Sequence, residues 1–232
     1  MYPHSTGFLF WDPTMILLIP AVILGFWAQA KVRSAYAKYS KVRAASGMTG
    51  AQAARYLLDR AGLTEIKIEP IAGNLTDHYD PRVKTLRLSE GVYSSPSLAA
   101  LGIAAHESGH AMQHRDGYWP MTVRSALVPV ANLGSGMMLP LVIGGLLFAI
   151  KPLLTIGIVL YTGAVLFQIV TLPVEFNASS RAIKVLEGSG ALHPDEVGGA
   201  RKVLSAAAMT YVAATLASVL TLVRLVILRD RQ

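Results

Sequence analysis

Four long stretches of the chain contain no charged side chain, and this feature constrains the fold more than any other. They cover residues 13–30, 126–150, 152–174 and 203–223. A helix of about 20 apolar residues is long enough to cross the roughly 30 Å hydrocarbon core of a bilayer. Only 15% of the residues are charged, against about 25% in soluble domains. We therefore expect a mainly α membrane protein with about four transmembrane helices.

Two of these stretches also have an alternative interpretation. Residues 13–30 have the length of a signal peptide, but a signal peptide carries basic residues before its apolar run, and here they follow it. A retained transmembrane helix is the better prediction. Residues 203–223 are rich in alanine, serine and threonine, which favours close packing inside a helix bundle. A buried helix of a soluble region is the alternative for this stretch.

Basic residues are distributed unevenly along the chain. The net charge is +7, and 13 of the 21 lysines and arginines lie in residues 31–125, whereas residues 1–30 contain none. A basic chain is compatible with nucleic-acid binding, but this distribution follows the positive-inside rule of membrane proteins. We therefore expect a lipid bilayer and no nucleic acid among the partners, with residues 31–125 in the cytoplasm.

The same rule predicts a topology for the whole chain. The first span leads inward, the two central runs form a hairpin that leaves and returns, and the last span leads outward. The predicted segments are an external N-terminus (1–12), a first transmembrane helix (13–30), a cytoplasmic region (31–125), a transmembrane hairpin (126–174), a second cytoplasmic segment (175–202) and a fourth transmembrane helix (203–228). Arg229 and Arg231 then lie outside, which is a mild violation of the rule.

The cytoplasmic region 31–125 has the pattern of a small α+β domain. Thr49 is a suitable cap for a first helix, and two short alternating runs at 66–70 and 84–89 predict strands. The sequence NLTDHYDPR between these runs is rich in turn-forming residues and predicts a loop. A second helix carries the segment AAHESGHAMQH.

That segment contains the spacing H-E-x-x-H at His106, Glu107 and His110. Residues four apart share one face of a helix, so the two imidazoles can bind one metal ion from the same side. Glu107 lies beside them and can act as general base toward a water molecule. The chain has no cysteine, so a zinc site must be built from His, Asp and Glu. The alternative is an ordinary helix with incidental histidines.

A catalytic zinc site needs a third protein ligand and an open position. His114 is aligned with His110, but about 12 Å of helix rise separates it from His106, which is too far for one zinc ion. We expect His114 behind the ligands or at the surface. The other histidines are His78 and His193, which are predicted to be cytoplasmic, and His4, which is predicted to be external.

Glu175 is the stronger candidate for the third ligand. It directly follows the third apolar run, and the predicted topology returns it to the side that carries the H-E-x-x-H helix. A carboxylate at the edge of the hydrocarbon region is costly unless it is paired or coordinated. The alternative is an ordinary interfacial charge that pairs with Arg181.

With these residues the chain resembles the bacterial neutral zinc metallopeptidases of the YugP type, which are similar in site layout to the gluzincin membrane proteases of the HtpX and CAAX-protease class. The resemblance implies that His106 and His110 are zinc ligands, that Glu107 is the catalytic base and that Glu175 is the third ligand. The similar stretches are DHYDP (77–81), RLSEGVY (87–93), AAHESGHAMQH (104–114), RSALVPVAN (124–132) and LPVEFNASSRA (172–182).

The chain departs from that pattern at one position. In the HtpX type an aspartate follows the third ligand by four residues, whereas this chain has Ser179 there. The residue that orients a ligand from behind is therefore open, and Asn177 is a candidate. A peptidase of this kind also needs a donor for the oxyanion. The candidates for that role are His78, Tyr79 and Arg181.

These observations predict a zinc-dependent endopeptidase of the bacterial cytoplasmic membrane that cleaves membrane or juxtamembrane proteins with Zn²⁺ as cofactor. Strand 84–89 is expected to offer its edge to an extended substrate. The alternative function is a non-catalytic zinc-containing membrane adaptor or chaperone, although closed structural sites usually use cysteine. Glycines such as Gly134 permit close helix packing within or between chains, so a homo-oligomer is compatible with the sequence.

Overall fold

The computed structural model describes residues 12–231 and is dominated by long helices. The elements are a 3₁₀ turn (Pro13–Leu18), α1 (Ile19–Tyr39), α2 (Gly50–Arg60), β1 (Lys67–Ile71), β2 (His78–Asp80), β3 (Thr85–Ser89), α3 (Glu90–Tyr93), α4 (Leu98–Arg115), α5 (Trp119–Leu147), α6 (Lys151–Ser189) and α7 (Val197–Asp230). The predicted fold class, a mainly α membrane protein with a small α+β region, is confirmed.

Four helices within residues 12–231 are long and apolar enough to cross a membrane. They extend beyond the uncharged runs that predicted them, because polar residues continue the same helices. The third of them, α6, remains helical through Glu175 to Ser189. Glu175 therefore lies inside a continuous helix rather than at the start of a separate segment. The four helices are Pro13–Tyr39, Trp119–Leu147, Lys151–Ser189 and Val197–Asp230.

The chain forms two compact units. The first, which we call the apolar unit, contains 12–27, 124–170 and 212–231 of the described residues. The second, which we call the sheet unit, contains 28–123 and 171–211.

The apolar unit has a core between α5, α6 and α7, and it leaves large apolar side chains exposed. Leu154 and Leu225 are buried in this core, whereas Phe148 is 72% exposed and Val159 is 65% exposed. Exposed apolar side chains on long helices are expected where lipid replaces water as the solvent. Gly134 lies against the backbone of Leu160 on the neighbouring helix, so this glycine is used for packing within the chain.

Charged residues at the two ends of the described chain are paired within the apolar unit. The Arg231 guanidinium lies 3.3 Å from the buried carboxylate of Asp12. The Arg224 Nε donates to the Thr14 hydroxyl at 3.1 Å. The arginines that seemed to violate the positive-inside rule thus include one that is neutralised by an acidic partner.

The sheet unit is built around a three-stranded sheet in the order β1-β3-β2. β1 pairs with β3 in parallel, from Lys67 opposite Thr85 onward, and β2 pairs with β3 antiparallel. The predicted loop NLTDHYDPR therefore contains a strand, β2. β3 lies in the middle of the sheet with both of its edges occupied, so the expectation that it offers an edge to substrate is wrong. The free edges belong to β1 and β2.

Helix α4 lies in the core of the sheet unit. Its N-terminus is capped by the Ser97 hydroxyl, which accepts from the Ala100 N–H at 3.2 Å. Leu101 and Ala105 contribute to one apolar cluster, while Ala104 and Met112 contribute to another. α4 is therefore packed on both sides, with His110 buried and His106 partly buried, whereas His114 near its C-terminal end is exposed.

Candidate metal centre

Small residues bring α4 and α6 close together at the centre of the sheet unit. A Cβ atom placed on Gly109 would lie 2.7 Å from the carbonyl oxygen of Ala178, nearer than real Cβ atoms approach. Only glycine therefore allows this backbone contact without a shift. The close approach places the inward face of α4 opposite the part of α6 that carries Glu175.

Three side chains converge between these helices. The nearest ligand atoms of His106, His110 and Glu175 all lie within 4.8 Å of one another. One oxygen of Glu175, Oε2, is 3.2 Å from His106 Nε2 and 3.7 Å from His110 Nε2. The two imidazole rings are perpendicular, with centroids 4.8 Å apart. Both Nε2 atoms thus face the same carboxylate.

The other ring nitrogen of His110 is held by Gln113. Gln113 Oε1 lies 3.0 Å from His110 Nδ1, and Gln113 Nε2 donates to the carbonyl oxygen of Val174 at 2.8 Å. A backbone carbonyl only accepts, so the amide nitrogen must face Val174 and the amide oxygen must face the imidazole. His110 Nδ1 is then the donor, and the lone pair of a neutral ring lies on Nε2, on the side of Glu175.

His106 has a corresponding partner in Ser179. The Ser179 hydroxyl lies 3.2 Å from His106 Nδ1. A hydroxyl accepts or donates as its partner requires, so it is compatible with the tautomer that leaves the lone pair on Nε2. Ser179, which stands where the HtpX type has an aspartate, therefore contacts the His106 ring with a neutral group.

Acidic groups set the electrostatic character of the centre. Burial alone would lower the pKa of His110, but the hydrogen bond with Glu175 and the charges of Glu107 and Glu175 raise it above its usual value. The carboxylates therefore stabilise positive charge on the His110 imidazole. Glu107 is buried and lines a cavity together with His106 and Glu175.

Asn177 and Arg181 are connected to His110 through Gln113. The Gln113 amide donates to Asn177 Oδ1 at 3.0 Å, and Arg181 Nε donates to the same oxygen at 2.8 Å. Arg181 also pairs with Asp116. Hydrogen bonds from Arg115 and Arg181 lower the pKa of Asp116. Asn177 thus contacts Gln113 rather than a histidine, and the guanidinium of Arg181 is engaged away from the lining of the cavity.

The remaining candidates lie elsewhere. His78 Nδ1 contacts the carbonyl oxygen of Thr76. The Tyr79 hydroxyl lies 2.9 Å from His114 Nδ1, and burial raises the pKa of Tyr79 to about 12. His193 is exposed and lies 2.6 Å from Asp195. His4 and the external segment 1–12 fall outside the described residues except for Asp12.

Gln113 is the residue that sequence reasoning missed. It lies three positions after His110, a helical spacing at which side chains are neighbours. The contact between Gln113 and His110 could therefore have been predicted from the sequence. The contact with Val174 could not, because it depends on how α6 packs.

The donor set fits zinc. Two neutral imidazole nitrogens and one carboxylate oxygen are ligands that zinc takes in catalytic sites, where three protein ligands leave a further position open. The nitrogens are directed to one point by their partners at Nδ1, and the site is buried. The three side chains therefore have the chemistry and convergence that such an ion requires.

The sequence is similar to known proteins over nearly its whole length. A family model described as "Putative neutral zinc metallopeptidase" matches residues 14–230. A protein of Bacillus subtilis (strain 168) with the name "Putative membrane protease YugP" is 49% identical over 214 residues, which cover 92% of this chain and 95% of that protein. No solved structure matches the chain.

Proposed function

The chain belongs to the family of neutral zinc metallopeptidases, and on that premise we propose that it is a zinc-dependent endopeptidase in which Glu107 is the general base. The observation that carries the proposal is the convergence of His106, His110 and Glu175 at one point, beside Glu107 and facing a cavity. The membrane is its location, as four apolar helices and the relative's name indicate.

We assign His106, His110 and Glu175 as the ligands of Zn²⁺. When bound, zinc supplies a Lewis acid that lowers the pKa of a water molecule toward 7 and stabilises negative charge on a carbonyl oxygen. Gln113 holds the His110 ring with Nε2 toward the ligand position, and the Ser179 hydroxyl supports His106 from behind.

Glu107 provides the proton transfers of the reaction. It follows His106 directly in α4, and its carboxylate is buried beside the ligands. It accepts a proton from the attacking water and later delivers it to the leaving amine.

The reaction also needs a donor for the oxyanion. The earlier candidates were His78, Tyr79 and Arg181, and none of them lines the cavity that contains Glu107. Two other tyrosines, Tyr36 and Tyr211, do line it. We propose them as the better candidates for this role.

The proposed location is the bacterial cytoplasmic membrane, with the active site on the cytoplasmic side. The basic residues of 31–125 support this orientation. The pairing of Arg231 with Asp12 supports an even number of crossings, because it holds the two ends of the described chain together. With the catalytic groups at that position, the substrates are membrane proteins or their juxtamembrane segments.

The test compares metal content and proteolysis in full-length variants in detergent micelles, with quenched fluorescent casein as substrate. Glu107→Gln is expected to keep zinc and to lose most cleavage, because only the base is removed. Glu175→Ala is expected to lose both. Glu187→Ala is the matched control, because Glu187 is an exposed glutamate of the same helix that pairs with Arg201.

Three results would count against the proposal. Casein cleavage that persists in Glu107→Gln at the wild-type rate excludes Glu107 as the base. Undiminished zinc in Glu175→Ala excludes the third ligand. A wild-type protein that binds zinc and cleaves nothing, like Glu107→Gln, favours the non-catalytic adaptor or chaperone.

A further inference from the structure

The cavity beside Glu107 extends well beyond the metal centre. Its volume is about 390 Å³, which is within the range of sites that hold small ligands. The catalytic groups form one side of it. α1 contributes Val32 and Tyr36, and the segment before β2 contributes Leu75 and Asp77.

Another part of the wall is one face of α7. The lining residues there are Val203, Leu204, Ala207, Ala208, Thr210 and Tyr211, and most of them recur at helical spacing. Val203 and Leu204 are buried. The two alanines lie at the middle of this face, where small side chains leave space. A larger side chain at either position would therefore reduce the volume of the cavity.

The polar lining is acidic rather than basic. None of the lining residues within the described part of the chain is lysine or arginine, whereas Asp77 joins Glu107 and Glu175 there. Asp77 is fixed, because it accepts from the Ser89 N–H at 2.8 Å and from the Ser89 hydroxyl. An acidic side chain beside Asp77 would meet like charge, with no lysine or arginine in the described lining to pair with it. An apolar side chain would replace water against apolar walls.

We propose that this cavity is a subsite for a bulky, uncharged apolar side chain of the substrate next to the scissile bond, and that Ala207 determines its specificity. The inference rests on the proposed peptidase function, because a group that occupies a cavity lined by the general base lies beside the reacting bond. The favoured substrates carry leucine, methionine or phenylalanine at that position, and those with aspartate or glutamate are poor.

The test uses a series of quenched fluorogenic peptides that differ at one position on either side of the scissile bond, with leucine, alanine or aspartate there. Ala207→Phe and the milder Ala207→Leu fill the cavity. The matched control is Ala206→Phe, because Ala206 is the adjacent residue, is similarly half-buried, and does not line the cavity. Zinc content and melting temperature are measured for each variant.

The wild type is expected to cleave the leucine peptide with the highest kcat/KM. Ala207→Phe should lower the ratio of kcat/KM for the leucine peptide to that for the alanine peptide by on the order of tenfold or more. Ala207→Leu should lower it less, and Ala206→Phe should keep the wild-type ratio. A ratio that is unchanged in both Ala207 variants overturns the proposal, as does a preference for aspartate.

Binding separates this inference from the proposed function. In the Glu107→Gln background, the labelled leucine peptide is expected to bind more tightly than the aspartate peptide, and Ala207→Phe should weaken that binding. If this holds while the wild type cleaves nothing, the subsite stands and the peptidase reaction fails. If all peptides bind equally in both backgrounds, the subsite itself fails.

Discussion

Replacement of Gln113 by alanine tests how the metal centre is oriented. Gln113 is fully buried, and its amide joins His110 to the carbonyl oxygen of Val174 and to Asn177. In the alanine variant, Asn177 keeps its bond from Arg181. Val174 lies within α6 and keeps its place in the helix. The Nδ1–H group of His110 is the one that loses its partner.

The size of the expected change in zinc affinity depends on whether the lost hydrogen bond destabilises the zinc-bound or the zinc-free state. A buried donor without a partner costs about 1–3 kcal/mol. When zinc holds Nε2, the ring cannot turn and Nδ1–H stays unpaired, whereas a free ring can rotate or change tautomer. The cost therefore falls on the zinc-bound state. With about 1.4 kcal/mol for each factor of ten, zinc Kd should rise roughly 10- to 100-fold, as for similar partners of ligands.

The assay is a zinc competition titration with a chromophoric chelator, on full-length protein in detergent. The visible spectrum of the Co²⁺-substituted protein reports on ligand geometry independently of activity. Asn177→Ala is the matched control, because Gln113 then keeps its bonds to His110 and Val174, and a smaller change is expected. A wild-type Kd and an unaltered Co²⁺ spectrum in Gln113→Ala would refute the reasoning. Equal losses in both variants would attribute the effect to packing.

Three further predictions concern helix packing, an ion pair and membrane topology. Gly109→Ala should destabilise the protein by about 1–3 kcal/mol, because its Cβ meets the Ala178 carbonyl; Gly198→Ala, with open space around it, should not lower the melting temperature. The arginine partners of Asp116 lower its pKa. The ion pairs therefore stabilise the folded state at pH values above the unfolded-state pKa of Asp116, about 4. This stabilisation is lost as the pH falls through the lowered pKa of the folded state. Asp116→Asn should therefore reduce the melting temperature more at neutral pH than at about pH 2, and an equal reduction at both would contradict the ion pair. The chain has no cysteine, so an introduced cysteine is its only site for a thiol label. A membrane-impermeant maleimide should label Lys151→Cys on intact cells and Asp195→Cys only after lysis. The reverse pattern would show that the topology is inverted.

The sequence predicted what depends on local spacing. Two histidines four apart on a helix must share a face, and the structure places the His106 and His110 rings side by side. The uncharged runs predicted the long helices, because length and composition decide whether a helix can span a membrane. The position of Glu175 followed from counting crossings, which requires only the order of the runs.

Features that depend on a distant partner were not predictable. β2 is three residues of turn-forming sequence that become a strand because β3 is beside them. β3 likewise lies in the middle of the sheet because both β1 and β2 pair with it. The roles of Gln113 and Ser179 arise only when α4 and α6 meet, and the polarity of either side chain alone indicates no partner.

The distance along the chain between the ligands has a consequence for the order of biosynthesis. His106 and Glu175 are 69 residues apart, and α5 with more than half of α6 lies between them. A growing chain therefore contains His106, Glu107 and His110 long before the ribosome adds Glu175. Until then it cannot hold zinc in the complete site. The three side chains of the candidate metal site are therefore brought together only after the hairpin segment has been made.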